Sequence, residues 1–161
     1  MVEAEKKDSC LTCQFNEKAD PELGGVVWEN ENWRVEHSIG KTGEGAMILK
    51  AKTHVEWLDE RNEKQLTELG VILGNLTRAI RDVTGAERVY VNLWNEASRH
   101  VHFVLQPVTQ ELRDAFGGLK ASHLQSAMAT EDKPINKERA KELSNKIGQK
   151  LIEVEAVKGA F

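Results

Sequence analysis

Two histidines stand one residue apart in Arg99-His100-Val101-His102-Phe103-Val104, and two cysteines stand three positions apart in Cys10-Leu11-Thr12-Cys13. Side chains alternate along an extended strand, so His100, His102 and Val104 share one face while Val101, Phe103 and Leu105 share the other. A strand gains little from burying two imidazoles side by side, which leaves two chemical uses: metal ligation and nucleophilic attack. Zinc favours thiolate and imidazole in tetrahedral sets, and a short Cys-x-x-Cys supplies half of such a set. The other half must come from the five histidines. His54, just after a β-prone run, and His100, opening the histidine strand, stand where strand ends would hold them. Cys10, Cys13, His54 and His100 are therefore the candidate metal ligands, with an ordinary surface or helix-capping histidine an equal reading of His54. With His100 committed to metal, His102 would turn its ring into the same cleft. A neutral imidazole whose pKa lies near neutrality is a competent nucleophile there; the competing reading is a half-buried structural histidine. A redox use of the cysteine pair would call for a helix start behind an apolar strand, and the pair follows a polar leader instead.

These residues must be positioned by a scaffold, and the pattern around them supplies one. "GGVVWEN" and "NWRVEHS" read as strands joined by a turn at Asn30-Glu31-Asn32, and "AMILKA" as a third strand. The glycine-rich "GKTGEG" lacks the order of a phosphate-binding loop and leads into a strand, so it reads as a connection. From about Asn62 to Val83, Leu66, Leu69, Leu73, Leu76 and Ile80 recur at steps of three and four, an amphipathic helix stopped at Gly85. "RVYVNLW" and "RHVHFVLQP" follow as neighbouring antiparallel strands. Beyond Pro107 the chain turns helical: "TQELRDAFGG", "LKASHLQSAMAT", and a last helix carrying Ile135, Leu143, Ile147, Leu151 and Val154. Strands, helix, strands and helices in that order give an α+β fold with an antiparallel sheet. The organisation expected is a flexible leader at 1–9, a domain at 10–107, and a helical C-terminal extension at 108–161 packed on it.

The bulk composition sets bounds. The chain has 161 residues, 40% hydrophobic and 30% charged, with a net charge of −4. That suits a soluble domain with a core and argues against a nucleic-acid partner, although a local anion pocket is compatible with it. No apolar stretch is long enough to span a bilayer, and "MVEAEKKDSC" lacks a secretory apolar segment, so a cytoplasmic location is expected. Each of the four tryptophans is expected to pack in the core.

"KTH", the long amphipathic helix and "VNLWNEASRHVHFVLQP" together resemble the histidine-triad (HIT) superfamily, whose signature is His-φ-His-φ-His-φ-φ with φ apolar. The resemblance covers about residues 10 to 107. It implies a HIT-like antiparallel sheet of about five strands with a long helix packed on it, here with extra C-terminal helices. In the zinc-containing branch the metal is held by four residues that Cys10, Cys13, His54 and His100 match one by one, so the resemblance implies structural zinc. It also implies that His102 is the nucleophile toward the α-phosphate of a nucleotide or nucleotide conjugate, in a hydrolase or nucleotidyltransferase. Asn92, Asn95 and Ser98 fall where the family places polar contacts to substrate. Homodimerisation through the long helix and a sheet edge is likewise implied. Two departures stand out. Val104 replaces the third histidine, where transferases carry glutamine, and it offers no hydrogen bond; Gln106, two residues on, would substitute only if a bulge shifted it. Ser38 and Gly45-Ala46 replace the family's aspartate and Gly-His. The alternative reading is a nucleotide-binding or protein-interaction module that keeps the zinc scaffold without catalysis.

Overall fold

In the computed structural model, which describes residues 9–39, 43–116 and 134–158, the β-branched and aromatic runs pair into one sheet. Its strands are β1 (Val26–Glu29), β2 (Trp33–His37), β3 (Met47–Ala51), β4 (Arg88–Asn92) and β5 (His102–Val108), in the order β1-β2-β3-β5-β4, with every neighbouring pair antiparallel. The β1–β2 turn closes because Asn30 Oδ1 accepts from the Asn32 and Trp33 amides at 2.9 and 2.7 Å, an Asx turn.

Helix α2 (Glu63–Thr84) crosses from β3 to β4 and covers one sheet face. Asn62 caps it reciprocally with Gln65, and Gly85 ends it at φ 69°, a left-handed conformation that costs glycine little. Its buried residues Leu69, Ile72, Leu76, Ala79 and Ile80 keep helical spacing. They meet Trp33, Val35, Met47, Leu49, Ala51, Phe103 and Leu105 from the sheet. The last helix, α4 (Lys137–Lys158), is more than an appendage: Ile147 and Leu151 enter the same core. At Gly148 a Cβ would lie 2.8 Å from the Val27 carbonyl oxygen, so only glycine allows α4 this close to β1.

Helix α3 (Gln110–Phe116) matches the helical turn expected after Pro107. The "LKASHLQSAMAT" segment, with His123, lies outside the described residues, as do Gly40, Lys41 and Thr42 of the glycine-rich loop. The described end of that loop is a connection. Its Gly45 amide donates to His37 Nε2 at 2.9 Å, and His37 Nδ1 donates to the Ser38 carbonyl at 2.8 Å. The buried His37 is thus satisfied at both nitrogens, and burial holds its pKa below the ordinary imidazole value.

Helix α1 (Leu11–Glu17) opens the described domain directly after the 1–9 leader, in a stretch for which the sequence pattern named no element. Two expectations are corrected. Trp57 and Trp94, expected in the core, are 69% and 59% exposed. Both sit on loops, next to edge strand β4 and the start of α2, and line one open cavity with Leu66, Leu93, Asn95 and Arg99. Finally, the paired strand begins at His102, with His100 in the preceding bend, so alternation within β5 places His102 but not His100.

Candidate active site and metal centre

Helix α1 begins at Cys10, its N-cap residue, and Cys13 follows in the first turn. Residues three apart share a helix face, so the two thiols point the same way. Cys10 and Cys13 are buried and carry free thiols. His54 lies in the loop after β3, and His100 in the bend before β5. Backbone bonds lock those two segments together: Ala51 N to the Val101 carbonyl at 3.1 Å, and Val101 N to the Val55 carbonyl at 2.8 Å. Asn16 Nδ2 reaches the Ala51 carbonyl at 2.8 Å and ties α1 to the end of β3.

The result is a cluster of one atom each from Cys10, Cys13, His54 and His100, all within 4.8 Å of one another. Cys13 Sγ lies 3.4 Å from both His54 Nδ1 and His100 Nδ1, and Cys10 Sγ lies 3.5 Å from His100 Nδ1. A tetrahedron with Zn–S near 2.3 Å and Zn–N near 2.0 Å has S···N edges of about 3.5 Å. The donor chemistry and the spacing both fit one zinc ion, with every ligand supplied by the protein. His100 Nε2 donates to the Ala51 carbonyl at 2.8 Å, which fixes its tautomer and leaves Nδ1 as the ligand nitrogen. Burial, partly offset by that bond, lowers the His100 pKa from 6.5 to about 4, so the ring is neutral at pH 7, the form a metal requires. The pair is metal-type rather than redox-type because two imidazole nitrogens complete it.

Ser98, matched to a substrate contact, lies against this cluster instead. It is buried, with Oγ 3.3 Å from Cys10 Sγ, and it accepts from Thr12 Oγ1 at 3.0 Å. With zinc bound to Cys10, the Ser98 hydroxyl would be free to donate to the ligand sulfur and stabilise its charge. Ser98→Ala is expected to weaken metal affinity by about 10–100-fold, read by competition with a chromogenic chelator; an unchanged affinity would remove Ser98 from this role.

The sheet face opposite α2 carries the remaining candidates. Cross-strand partners share a face, and two rows run across it: Arg34, Lys50 and His102; then Glu36, Ile48, Val104 and Asn92. Half-buried His102 has Nδ1 2.6 Å from the His100 carbonyl oxygen. A carbonyl only accepts, so the proton is on Nδ1 and the lone pair on Nε2. Asn92 stands directly opposite Val104, beside the position of the missing histidine. The registers of β5 against β3 and β4 are unbroken, so no bulge shifts Gln106; it stays buried opposite Tyr90. Asn95 holds a left-handed φ of 54° in the β4–β5 loop and lines the Trp57/Trp94 cavity, with its buried Oδ1 unpaired.

The sequence reading passed over one group. Lys50, in "AMILKA", is 1% exposed and donates to Glu36 Oε2 at 2.9 Å. Burial lowers its pKa, and the Glu36 carboxylate opposes that shift. The available signal was a lysine within an otherwise apolar strand, in phase with Ile48 and out of phase with the core positions Met47, Leu49 and Ala51.

No family model matches the sequence, and no curated protein does. Solved structures do match in shape. A Hit-like protein involved in cell-cycle regulation from Bartonella henselae superposes with a TM-score of 0.67 at 16% identity, over 92% of this chain and 99% of that one. A zinc-bound histidine triad family protein from Mycobacterium smegmatis gives 0.64 at 16% identity, over 94% and 99%. A hypothetical histidine triad nucleotide-binding protein from Sulfolobus tokodaii gives 0.66 at 19%, over 91% and 94%. These three matches span nearly the whole chain, so the five-stranded sheet and its covering helices make up the fold of these histidine-triad structures.

Proposed function

We propose that the chain is a zinc-containing hydrolase or transferase of nucleotide conjugates, in which His102 attacks the α-phosphorus. One observation carries this reading: the Nδ1–H of His102 is bound to the carbonyl of His100, which directs the nucleophilic lone pair of Nε2 away from the metal cluster. The fold is shared with a protein described as nucleotide-binding and with another described as zinc-bound, and both descriptions support the reading.

Zinc, when bound to Cys10, Cys13, His54 and His100, supplies structural cross-linking, since four protein ligands leave no open position for activating water. His100 thereby acts twice: its ring is a ligand, and its carbonyl orients His102. In the reaction, Nε2 of His102 forms a bond to the α-phosphorus as the bond from phosphorus to the leaving group's oxygen, or to its nitrogen in a phosphoramidate, breaks, with the electron pair departing on that atom, which takes up a proton from solvent where it is nitrogen. The Nδ1–H stays on the His100 carbonyl and stabilises the positive charge that the phosphorylated ring acquires. Attack by water, or by an acceptor hydroxyl, then forms a new phosphorus–oxygen bond, breaks the phosphorus–nitrogen bond and releases one proton to solvent. Asn92 would donate to a phosphate oxygen, a role supported by its position opposite Val104.

The test is a single-turnover reaction with dinucleoside polyphosphates and nucleoside phosphoramidates, followed by mass spectrometry of the peptide holding His102. A nucleotidyl adduct on His102 is expected. Tight nucleotide binding without adduct or turnover would replace the enzyme with the binding module that Val104 favours.

A second copy of the chain is the proposed partner. Strand β4 is a sheet edge carrying exposed Val91, exposed Leu93 and Trp94 follow it in the loop, and Leu66 and Val71 are exposed on α2. Such an edge and patch are normally covered. Val91→Asp is expected to convert a dimer to monomer in sedimentation; a wild-type chain that sediments as monomer at micromolar concentration would end the idea.

A further inference from the structure

Lys50 has no part in the mechanism above, yet it occupies the cross-strand position facing His102 on the same side of the sheet. It is 1% exposed, so its charge has been taken almost wholly out of water. An isolated ion pair is an inefficient way to stabilise a core, because desolvation offsets most of the attraction. The pair is also incompletely satisfied: Glu36 Oε1 makes no hydrogen bond, although Arg34 Nη1 lies 3.8 Å away. Arg34 and Lys50 belong to the row that ends at His102, and both lie against the Glu36 carboxylate of the neighbouring row, Lys50 closely and Arg34, which pairs with Glu29 at 2.8 Å, more distantly. Directly opposite residues in antiparallel strands have Cβ atoms about 5 Å apart, and diagonal ones about 7–8 Å. The four-carbon arm of Lys50 therefore spans both to His102 and diagonally to Val104.

We propose that Lys50 is the cation that neutralises the phosphate oxygens at His102, in place of the donor lost at Val104, and that Glu36 holds it in reserve until an anionic substrate competes for it. This rests on the reading of His102 as the site of phosphoryl transfer. Lys50 would touch substrate oxygens without making or breaking a bond. The ammonium moves from one anion to another, and Glu36 keeps Arg34, 3.8 Å away, as its remaining cation. The ligand class is a phosphate monoester or diester of a nucleoside, recognised through its oxygens.

The experiment compares zinc-loaded wild type, Lys50→Met and Glu36→Gln for calorimetric binding of AMP and GMP, each against its parent nucleoside, and for the rate of His102 adduct formation. Lys50→Met is expected to weaken binding of the monophosphates about tenfold while leaving nucleoside binding unchanged, and to slow adduct formation about 10–100-fold. Glu36→Gln, which releases the cation, is expected to tighten monophosphate binding about threefold. A purely structural ion pair predicts the opposite sign for Glu36→Gln, because both substitutions then break the same contact. The double variant Lys50→Met with Glu36→Leu removes the pair without orphaning a charge. It should fold as well as wild type and bind as weakly as Lys50→Met. Wild-type affinity in Lys50→Met overturns this inference alone. A wild-type protein with neither monophosphate binding nor adduct overturns the proposed function and this inference with it.

Discussion

Stripping zinc from the protein with a strong chelator is expected to lower its melting temperature by about 8–16 °C. A ligand present at 1,000 times its dissociation constant stabilises the folded state by about 4 kcal/mol, and a chain of this size loses about 2–4 °C per kcal/mol. The cluster is where such a loss would concentrate. Helix α1 has seven residues, too few to persist alone, and its other ties are a few polar contacts, among them Thr12 to Ser98, the side chain of Asn16 to Ala51 and the Asn16 carbonyl to Arg34. Without metal, only the weak S–H donors of Cys10 and Cys13 tie the helix to the two imidazole Nδ1 atoms. Cys13→Ala should reproduce the loss and make the protein indifferent to chelator, whereas Ser98→Ala should shift only the chelator concentration required. Metal analysis near one equivalent per chain is the companion measurement. A chelated protein that melts at the original temperature, with metal analysis confirming its absence, would sink the structural role of the site.

How much of this was legible in the sequence depends on the range of the interaction behind each feature. The α2 stripe and its Asn62 and Gly85 ends are local, and the observed helix begins and ends within a residue of the periodicity. The metal ligands were legible for a different reason: thiol and imidazole are chemically distinctive, so four residues separated by up to 90 positions could be grouped before any fold placed them. The position of Ser98 beside the cysteines was not legible, because a hydroxyl is not distinctive in that way. It serves phosphate or thiolate equally well, and only the docking of α1 against the β4–β5 loop shows which. Trp57 and Trp94 were assigned to the core on residue type, since nothing in one chain's sequence says which apolar surface a single copy leaves uncovered. The Lys50–Glu36 pair was hidden for a related reason: it depends on the β2–β3 and β3–β5 registers, and neither residue stands out until both are fixed.

His102→Ala is expected to abolish the nucleotidyl adduct and to reduce turnover by at least about 10³-fold, because no other group in the row can attack in its place. Zinc content should be unchanged, since His102 is not among the four ligands, and this separates a chemical loss from a folding loss. Val104→His tests the same site in the opposite direction. Position 104 is half-buried and flanked across the sheet by Ile48 and Asn92, so a histidine there would face the phosphate with Asn92 available to accept its second N–H. A restored donor to developing charge is worth on the order of 10²–10³ in rate. The gain should be smaller if Lys50 already supplies that charge, and a double-mutant cycle reads the difference. With Lys50 in the role proposed above, Val104→His should accelerate the Lys50→Met protein far more than the wild type, because the two cations would then be alternatives. Equal acceleration in both backgrounds would mean that Lys50 and residue 104 act on separate atoms, and the loss of the third histidine would remain uncompensated in this chain.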